Sequence, residues 1–330
     1  MEQYITKPFT VGVDLGGTKV EAALIDTKGQ ILSEKRYPTN PEKGPERIII
    51  DLIEVINEFQ NQAGQKALAV GIGAAGQVDK EGVVRSAPNL PFHNEPLQTR
   101  LEKELGLPVV VTNDVSAATY GEWRYGTGKG IDDLVVLFVG TGIGGGVVSG
   151  GRLLEGCNNM GGELGHITLV ADGRSCRCPN RGCLEAYAGG WAIAERAQEA
   201  VFADPKKGER LKSLAGGVEN ITATTVGQAY HEGDPLAKSL IEETGRYLAA
   251  GVVSIINTFN PCLLVLGGGV IEGLPELMPI IEEITKKRAL EPNIEKMRIV
   301  KASLGSKAAV VGAAFIAQNK LSKIGGGSTI

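Results

Sequence analysis

The sequence predicts a duplicated α/β fold of two lobes around a cleft, and three observations predict it. An order of three strands followed by helix, strand, helix, strand and helix occurs twice along the 330 residues. In each copy the first strand leads into a Gly-Thr pair, Gly17-Thr18 in one and Gly140-Thr141 in the other. Glycine makes up 46 of the 330 residues, and this share is about twice the usual share of about 7%. Because it clusters at the ends of apolar segments, we expect facing glycine loops in a cleft. Two unrelated α/β domains are the alternative on pattern alone.

Apolar periodicity places the elements of the first half. Short apolar runs separated by GGTK and DTKG predict three hairpin-linked strands. Apolar residues three and four apart predict the first helix. The predicted strands are 10–15, 20–26, 31–37, 67–73 and 109–112, and the predicted helices are 45–62, 97–105 and one from about 115.

The second half repeats this order around a cysteine-bearing insertion. The predicted strands are 134–140, the following GGGVVSGG segment, one near 166–170, 262–269 and 297–302, and the predicted helices are 235–258, 275–289 and 307–319. We therefore expect a small N-terminal lobe over 1–120, with the last helix, about 307–320, packing back on it. A large C-terminal lobe is expected over 121–306.

Composition excludes several classes of protein. The 34 Lys and Arg against 38 Asp and Glu give a formal net charge of −4, which argues against a nucleic-acid surface. No apolar run approaches the roughly 18 to 20 residues of a membrane span. The first ten residues lack the basic start and apolar core of a signal peptide. The five cysteines then argue against a disulfide framework, and we expect a cytoplasmic protein.

The first glycine loop, 14–19, combines a carboxylate with phosphate-binding groups. Backbone N–H groups at Gly16 and Gly17 can bind phosphate oxygens, while Thr18 adds a hydroxyl and Lys19 a positive charge. Asp14, at the strand end, is suited to hold Mg²⁺ through water. A simple hairpin turn is the alternative, although such a turn needs neither the acid before it nor Thr-Lys after it.

Two more glycine clusters follow strands. The run 140–146 has five glycines in seven positions, and because a strand pattern follows it, it is neither a Walker nor a Rossmann loop. Paired with the first loop it predicts a two-sided phosphate clamp, with a flexible bulge as the alternative. The cluster 267–269 is placed for an adenine ring against backbone, or for a plain strand–helix turn.

Asn113 and Asp114 stand between a strand and a helix. An Asp at a helix start is commonly a cap. A carboxylate at the C-terminal end of a strand is also where α/β proteins place catalytic groups. Position alone favours neither interpretation.

One histidine and three cysteines form a candidate metal site. His166 with Cys176, Cys178 and Cys183 would give the closed tetrahedral set of a structural zinc site, with no open position for a catalytic water. Glu163 and Glu185 flank this cluster, and bound metal would fix both carboxylates for hydroxyl recognition. Two solvated surface acids are the alternative.

In their order and approximate spacing, these motifs resemble the ROK sugar kinases, within the actin-like/hexokinase (ribonuclease H-like) ATPase fold. The motifs are DLGGTK, the glycine run 140–146, Glu163-x-Gly-His166 and the three-cysteine cluster. The resemblance covers about residues 10–318 and is strongest to the bacterial glucokinases of that family.

The resemblance implies an ATP- and Mg²⁺-dependent kinase that phosphorylates the 6-hydroxyl of glucose, with structural Zn²⁺, acting as a homodimer or higher homo-oligomer. Asp114 would be the general base. The implied nucleotide and Mg²⁺ residues are Asp14, Gly16, Gly17, Thr18, Lys19, Thr141 and Gly142, with Gly268 at the adenosine. The implied sugar-binding residues are Gly76, Asn89, Asn113, Asp114, Glu163, His166 and Glu185. His166 would use its second ring nitrogen for zinc, with Cys176, Cys178 and Cys183.

Three departures from the family pattern leave alternatives open. Pro179 replaces a glycine and so removes an N–H donor near the thiolates. Ala75 and Phe92 replace a frequent proline and tryptophan beside the sugar pocket. A kinase for another hexose or an N-acetylhexosamine (mannose, N-acetylmannosamine, fructose), or a polyphosphate-dependent glucokinase, is the alternative. A sugar-sensing regulator is a remote alternative. Such a regulator would carry a DNA-binding segment before the first strand, and that strand is expected by about Thr10.

Overall fold

The computed structural model describes residues 8–325. The strands are β1 (Phe9–Leu15), β2 (Lys19–Asp26), β3 (Ile31–Pro38), β4 (Val70–Ala74), β5 (Gln77–Val78), β6 (Val84–Ser86), β7 (His93–Glu95), β8 (Val109–Asn113), β9 (Leu134–Val139), β10 (Ile143–Ser149), β11 (Arg152–Leu153), β12 (Leu263–Gly267) and β13 (Arg298–Lys301). The α-helices are α1 (Pro45–Ala63), α2 (Leu97–Leu105), α3 (Asp114–Arg124), α4 (Glu185–Ala188), α5 (Gly190–Ala203), α6 (Glu209–Ala215), α7 (Ala223–His231), α8 (Pro235–Phe259), α9 (Gly269–Gly273), α10 (Leu277–Arg288), α11 (Glu291–Ile294) and α12 (Ala308–Gly325).

The chain divides into two compact units. The first comprises the described residues up to Gly130, Leu153–Gly162 and those from Ser303 on, and the second comprises Ile131–Arg152 and Glu163–Ala302. The lobe limits expected at residues 120 and 306 stay a prediction. Within the described part of the chain, no helix combines the length and apolar character that crossing a bilayer requires.

The first unit is built on a five-stranded sheet in the order β3-β2-β1-β4-β8. β1 pairs antiparallel with β2 and parallel with β4, and β4 pairs parallel with β8. The apolar stripe of α1 packs against Phe9, Val11, Val13 and Leu15 of β1, because alternate residues of a strand share one face. Helix α12 packs on α3, β1 and β4. The carboxyl ends of β1, β4 and β8 therefore lie at one edge of this sheet.

The second unit has a sheet in the order β11-β10-β9-β12-β13, with β9 antiparallel to β10 and parallel to β12. Its strands and helices α5, α7, α8 and α10 share one apolar core. The repeated order of antiparallel and parallel strands is the duplication that the sequence predicts.

One predicted strand is wrong. Residues 166–170 form no strand: Leu164–His166 is a turn of 3₁₀ helix, and Thr168 makes only an isolated bridge to Cys183. The third strand of this unit along the chain is instead the short strand β11, which lies at the edge of the second sheet. The physical reason is that this segment turns to bring His166 to the cysteines, which an extended strand would carry away from them.

Candidate active site

The turn between β1 and β2 carries the first glycine motif. The Gly16 N–H donates to Lys19 O at 3.0 Å, and Thr39 Oγ1 donates to Gly16 O at 2.6 Å. Gly17 lies so close to Asn89 that an added Cβ would collide with its Cβ. The turn is therefore closed and held from outside, with exposed Thr18 at its tip and Asn89 beside it.

Asp14 is the most perturbed acid at this edge. Its pKa is raised from an ordinary 3.8 to about 7, chiefly by burial and then by the neighbouring charges of Asp114 and Glu21, against a lowering by Lys19. Three carboxyl groups and one ammonium therefore share this edge of the sheet. A buried carboxylate held under such repulsion favours a bound cation with oxygen ligands.

Asn113 and Asp114 occupy the junction of β8 and α3. Asn113, and not Asp114, is the helix cap, since Asn113 Oδ1 accepts the Ser116 N–H at 3.0 Å. Its Nδ2 donates to Gly76 O at 3.0 Å and to Asp114 Oδ1 at 3.0 Å. Asp114 Oδ1 also accepts the Val115 N–H at 2.9 Å. The carboxylate of Asp114 is thus oriented and is not the side-chain cap of α3, while its catalytic role stays a prediction.

The residues around Gly76 join this site to a small sheet of β5, β6 and β7. An added Cβ on Gly76 would lie 2.6 Å from Ser86 O, so the strand end and the β6 segment are in backbone contact. Ala75 is half-buried and Phe92 is 3% exposed in the core of this unit.

The second glycine run is mostly strand. Only Gly140–Gly142 turns, while β10 begins at Ile143, and the expectation of a loop over all of 140–146 is wrong. Gly145 lies in β10, where an added Cβ would lie 2.6 Å from Leu164. Gly145 therefore makes room for Leu164 of the Leu164–His166 turn.

Glu185 holds this turn. Its Oε2 accepts the Ile143 N–H at 2.8 Å, and its Oε1 accepts the Trp191 indole N–H at 3.1 Å. An added Cβ on Gly142 would collide with the same carboxylate. The first N–H groups of α5 donate to the turn as well, from Gly190 to Gly140 O and from Trp191 to Thr141 O. Glu185 and α5 together fix the position of exposed Thr141.

A cavity of about 820 Å³ opens beside this turn, within the range of small-molecule sites. Its lining residues come from the turn, from α5, from α7 and from α9: Gly140, Thr141, Gly190, Trp191, Ala194, Thr222, Ala223, Thr224, Gly227, Gln228, His231, Glu232, Gly269, Val270, Gly273 and Leu274. Gly268 itself does not line it. Gly268 has φ +91° and stands where a Cβ would lie 2.5 Å from Val139 O, so it turns the chain and presents Gly269.

Most of this lining was missed from the sequence, because α5, α7 and α9 were not predicted. A signal for α7 was present: Thr222 and Thr225 form a capping box, and Val226, Ala229 and Tyr230 follow at helical spacing. The helix was hidden by its short length of nine residues and by the threonines of its first turn.

The predicted metal ligands converge. The ligand atoms of His166, Cys176, Cys178 and Cys183 all lie within 4.8 Å of one another. Cys178 Sγ is 3.7 Å from Cys183 Sγ, and Cys176 Sγ is 3.7 Å from His166 Nδ1. Exposed Glu163 precedes this turn. Three thiols and one imidazole gathered without a disulfide are a donor set suited to a metal ion.

The departure at Pro179 is offset by its neighbour. Asn180 Nδ2 donates to Cys183 Sγ at 3.4 Å and to Thr168 Oγ1 at 2.9 Å. An amide side chain therefore supplies an N–H to the sulfur cluster.

Comparisons with known proteins agree on one family. The ROK family model matches residues 10–320. The glucokinase of Streptomyces coelicolor is 36% identical over 312 residues, covering 94% of this chain and 97% of that protein. A crystal structure of an ROK family glucokinase from Streptomyces griseus, in complex with glucose and AMPPNP, matches with a TM-score of 0.81 and 36% identity over 94% of this chain and 99% of that chain. An ROK hexokinase from Thermus thermophilus matches with a TM-score of 0.82 and 35% identity over 95% and 99%.

These matches extend over nearly the whole chain, so they include both glycine turns and the His/Cys cluster. They confirm the predicted fold class, the duplicated α/β fold of the actin-like ATPases and hexokinases. The resemblance stated from the motifs is confirmed as well: the chain belongs to the ROK family.

Proposed function

We propose that this protein is an ATP-dependent glucokinase that transfers the γ-phosphoryl group to the 6-hydroxyl of glucose. The observation that carries the proposal is its similarity, over nearly the whole chain, to an ROK glucokinase whose structure holds glucose and AMPPNP. The oriented Asp114 and the two held glycine turns supply the matching chemistry in this chain.

The nucleotide residues divide between the two turns. Gly16, Gly17 and Lys19 of one turn, and Thr141 and Gly142 of the other, would bind the phosphates. The cavity beside Thr141, with Gly269 rather than Gly268 in its wall, would hold the adenosine. Asp14 fits Mg²⁺ because it is a buried oxygen ligand under carboxylate repulsion. When bound, Mg²⁺ supplies charge neutralisation at the phosphates.

Asp114 would act as the general base. Phosphoryl transfer passes through a loose transition state, so orientation of the acceptor hydroxyl counts for more than base strength. Asn113 and Val115 fix the carboxylate through Oδ1. Asp114 would hold the sugar 6-hydroxyl in line and take its proton as the new P–O bond forms and the bond from the γ-phosphorus to the departing ADP breaks.

The other sugar hydroxyls would be bound by Gly76, Asn89, Asn113, Glu163, His166 and Glu185. Both amide protons of Asn113 and both oxygens of Glu185 already have partners in the protein. We therefore propose that Asn113 acts mainly by holding Asp114, whereas Glu185 holds the second turn and keeps a lone pair on each oxygen for a sugar hydroxyl. Glu163 and the remaining ring nitrogen of His166 are the better direct contacts.

The metal would be structural zinc. Tetrahedral Zn²⁺ with Zn–S bonds of about 2.3 Å places its sulfurs about 3.8 Å apart, close to the 3.7 Å between Cys178 and Cys183. His166, Cys176, Cys178 and Cys183 would hold it, and four protein ligands leave no position for a catalytic water. Zinc would then fix the His166 ring beside Glu163.

Donor and product together test the proposal. Purified protein is incubated with glucose and either MgATP or inorganic polyphosphate, and the product is followed with glucose 6-phosphate dehydrogenase. Glucose 6-phosphate formed from MgATP supports the proposal. Its formation from polyphosphate alone would replace ATP by the other donor.

On the family resemblance, we further propose a cytoplasmic homodimer or higher homo-oligomer. Light scattering of the purified protein tests the oligomeric state.

A further inference from the structure

A buried carboxylate on β2 lies beside the first turn and is used by none of the steps above. The Glu21 side chain is 7% exposed. It is two residues from Lys19 on the same strand, so both side chains project from one face of the sheet. Lys19 Nζ donates to Glu21 Oε1 at 2.6 Å.

The sheet register places Glu21 directly beside Asp14. In the antiparallel β1–β2 pair, Glu21 is the partner of Asp14, and in the β2–β3 pair it is the partner of Arg36. Directly opposed residues have Cβ atoms about 4.5–5.5 Å apart. Glu21 is thus an acid inserted between Asp14 and an arginine that is 67% exposed.

One oxygen of Glu21 is not satisfied. Among the described residues, Oε2 has no hydrogen-bond partner although it is buried. A buried carboxylate without full pairing is costly. Arg36, 3.7 Å from Oε1, does not reach Oε2, so stability of the sheet is a poor explanation for this acid.

We propose that Glu21 is a positioning residue that holds the Lys19 ammonium at the phosphate turn, so that Lys19 meets the incoming nucleotide already oriented. This inference rests on the proposed function, in which Lys19 binds phosphate. The Lys19 side chain is 38% exposed, and a flexible four-carbon stem loses rotamer freedom when it binds a ligand. The contact with Glu21 confines that stem before the nucleotide arrives.

A double-mutant cycle tests the coupling. Glu21→Gln should lower kcat/KM for MgATP about tenfold and raise the Kd of AMPPNP in excess Mg²⁺ by a similar factor. The KM for glucose should change less than about twofold. Lys19→Met should lower kcat/KM for MgATP at least as much. In the Lys19→Met background, Glu21→Gln should add nothing, because its effect acts through Lys19.

Two control variants separate positioning from general charge effects. Arg36→Gln removes the exposed cation on Glu21, and Glu58→Gln breaks the exposed Lys35–Glu58 pair of the same unit. Both should leave the AMPPNP affinity close to wild type. The inference is overturned if Glu21→Gln is silent, if its full effect persists without Lys19, or if Arg36→Gln reproduces it. If Lys19→Met itself leaves MgATP kinetics unchanged, the phosphate role proposed for Lys19 is wrong, and the inference falls with it.

Discussion

Asn113 donates through Nδ2 to Asp114 Oδ1 at 3.0 Å while its own Oδ1 caps helix α3. One side chain therefore ends a strand, starts a helix and orients the carboxylate that follows it. The same amide reaches Gly76 O at 3.0 Å, so the geometry of Asp114 depends on the segment between β4 and β5 as well as on β8.

Asn113→Ala should cost both stability and activity. Loss of the cap should lower the free energy of unfolding by about 1 kcal/mol, and kcat should fall because Asp114 loses a partner. Asp234→Ala removes the comparable cap of α8, where Asp234 Oδ1 accepts the Ala237 N–H at 2.8 Å. Denaturant unfolding and kcat are measured for both variants. Equal losses of kcat in the two would show that Asn113 acts only as a cap.

Asp114→Asn should lower kcat at least ~10²-fold, the lower range for loss of an acid–base group. Glucose affinity should be kept, since the amide retains size and hydrogen bonding. Glu46→Gln is the matched control, because Glu46 also stands in the first turn of a helix but is bound to Arg100 at the surface. The turnover rate and the Kd for glucose are measured for both variants and for the wild type. A kcat near wild type for the Asp114 variant would remove it from the general-base role.

Asp14 should make the metal-free protein less stable as pH rises. Its folded pKa of about 7 lies above the ordinary 3.8, so between these values the unfolded state binds fewer protons and stability falls with increasing pH. The cost is complete above about pH 7. In EDTA, Asp14→Asn should therefore raise Tm more at pH 8 than at pH 4.5, while activity is lost. A Tm difference that does not depend on pH would contradict the raised pKa.

Arg177 should affect nucleotide rather than sugar affinity. Arg177 lies between Cys176 and Cys178 of the His/Cys cluster. Its guanidinium carbon is 4.6 Å from the centroid of the Trp191 ring, which lines the cavity beside Thr141. A cation–π contact at an exposed site contributes about 0.5–1 kcal/mol, so Arg177→Ala should raise the KM for MgATP about two- to fivefold.

Arg124→Ala is the control for this contact, since Arg124 stacks on Trp123, outside the cavity. Its KM for MgATP should stay at the wild-type value. An equal increase of the KM for MgATP in both variants would argue against a link between the His/Cys cluster and the cavity beside Thr141. An increase of the KM for glucose instead would argue against it as well.

The elements with strong local signals were predicted well, and the reason is physical. β1, β2, α1 and α8 have apolar periodicities that match what they bury, and α8 was expected at 235–258 against Pro235–Phe259. The convergence of His166 with the three cysteines was predicted because thiolate and imidazole chemistry restricts the spacing of such donors. Asn113 and Asp114 were found together, but which of them caps the helix depends on a hydrogen bond that spacing does not specify.

The parts that failed depend on contacts distant in sequence. Gly145 of β10 is required by the Leu164 side chain, a contact that a glycine run alone does not reveal. The links from the Glu185 carboxylate to the Ile143 N–H and to Trp191 could not be read from the sequence either, and its predicted contact with the sugar stays a prediction. The cavity wall in α7 lies some 80 residues after Thr141, and only the folded second unit brings them together.

The central claim is that this chain phosphorylates glucose with ATP, and a coupled ADP-release assay tests it most directly. The protein is supplied with MgATP and, in turn, with glucose, mannose, fructose, N-acetylglucosamine and N-acetylmannosamine. Turnover should be fastest with glucose, and the Asp114→Asn variant should lose this turnover. Faster turnover with another sugar would contradict glucose as the substrate, and no sugar-dependent ADP release, in protein shown to contain zinc, would contradict ATP as the phosphoryl donor.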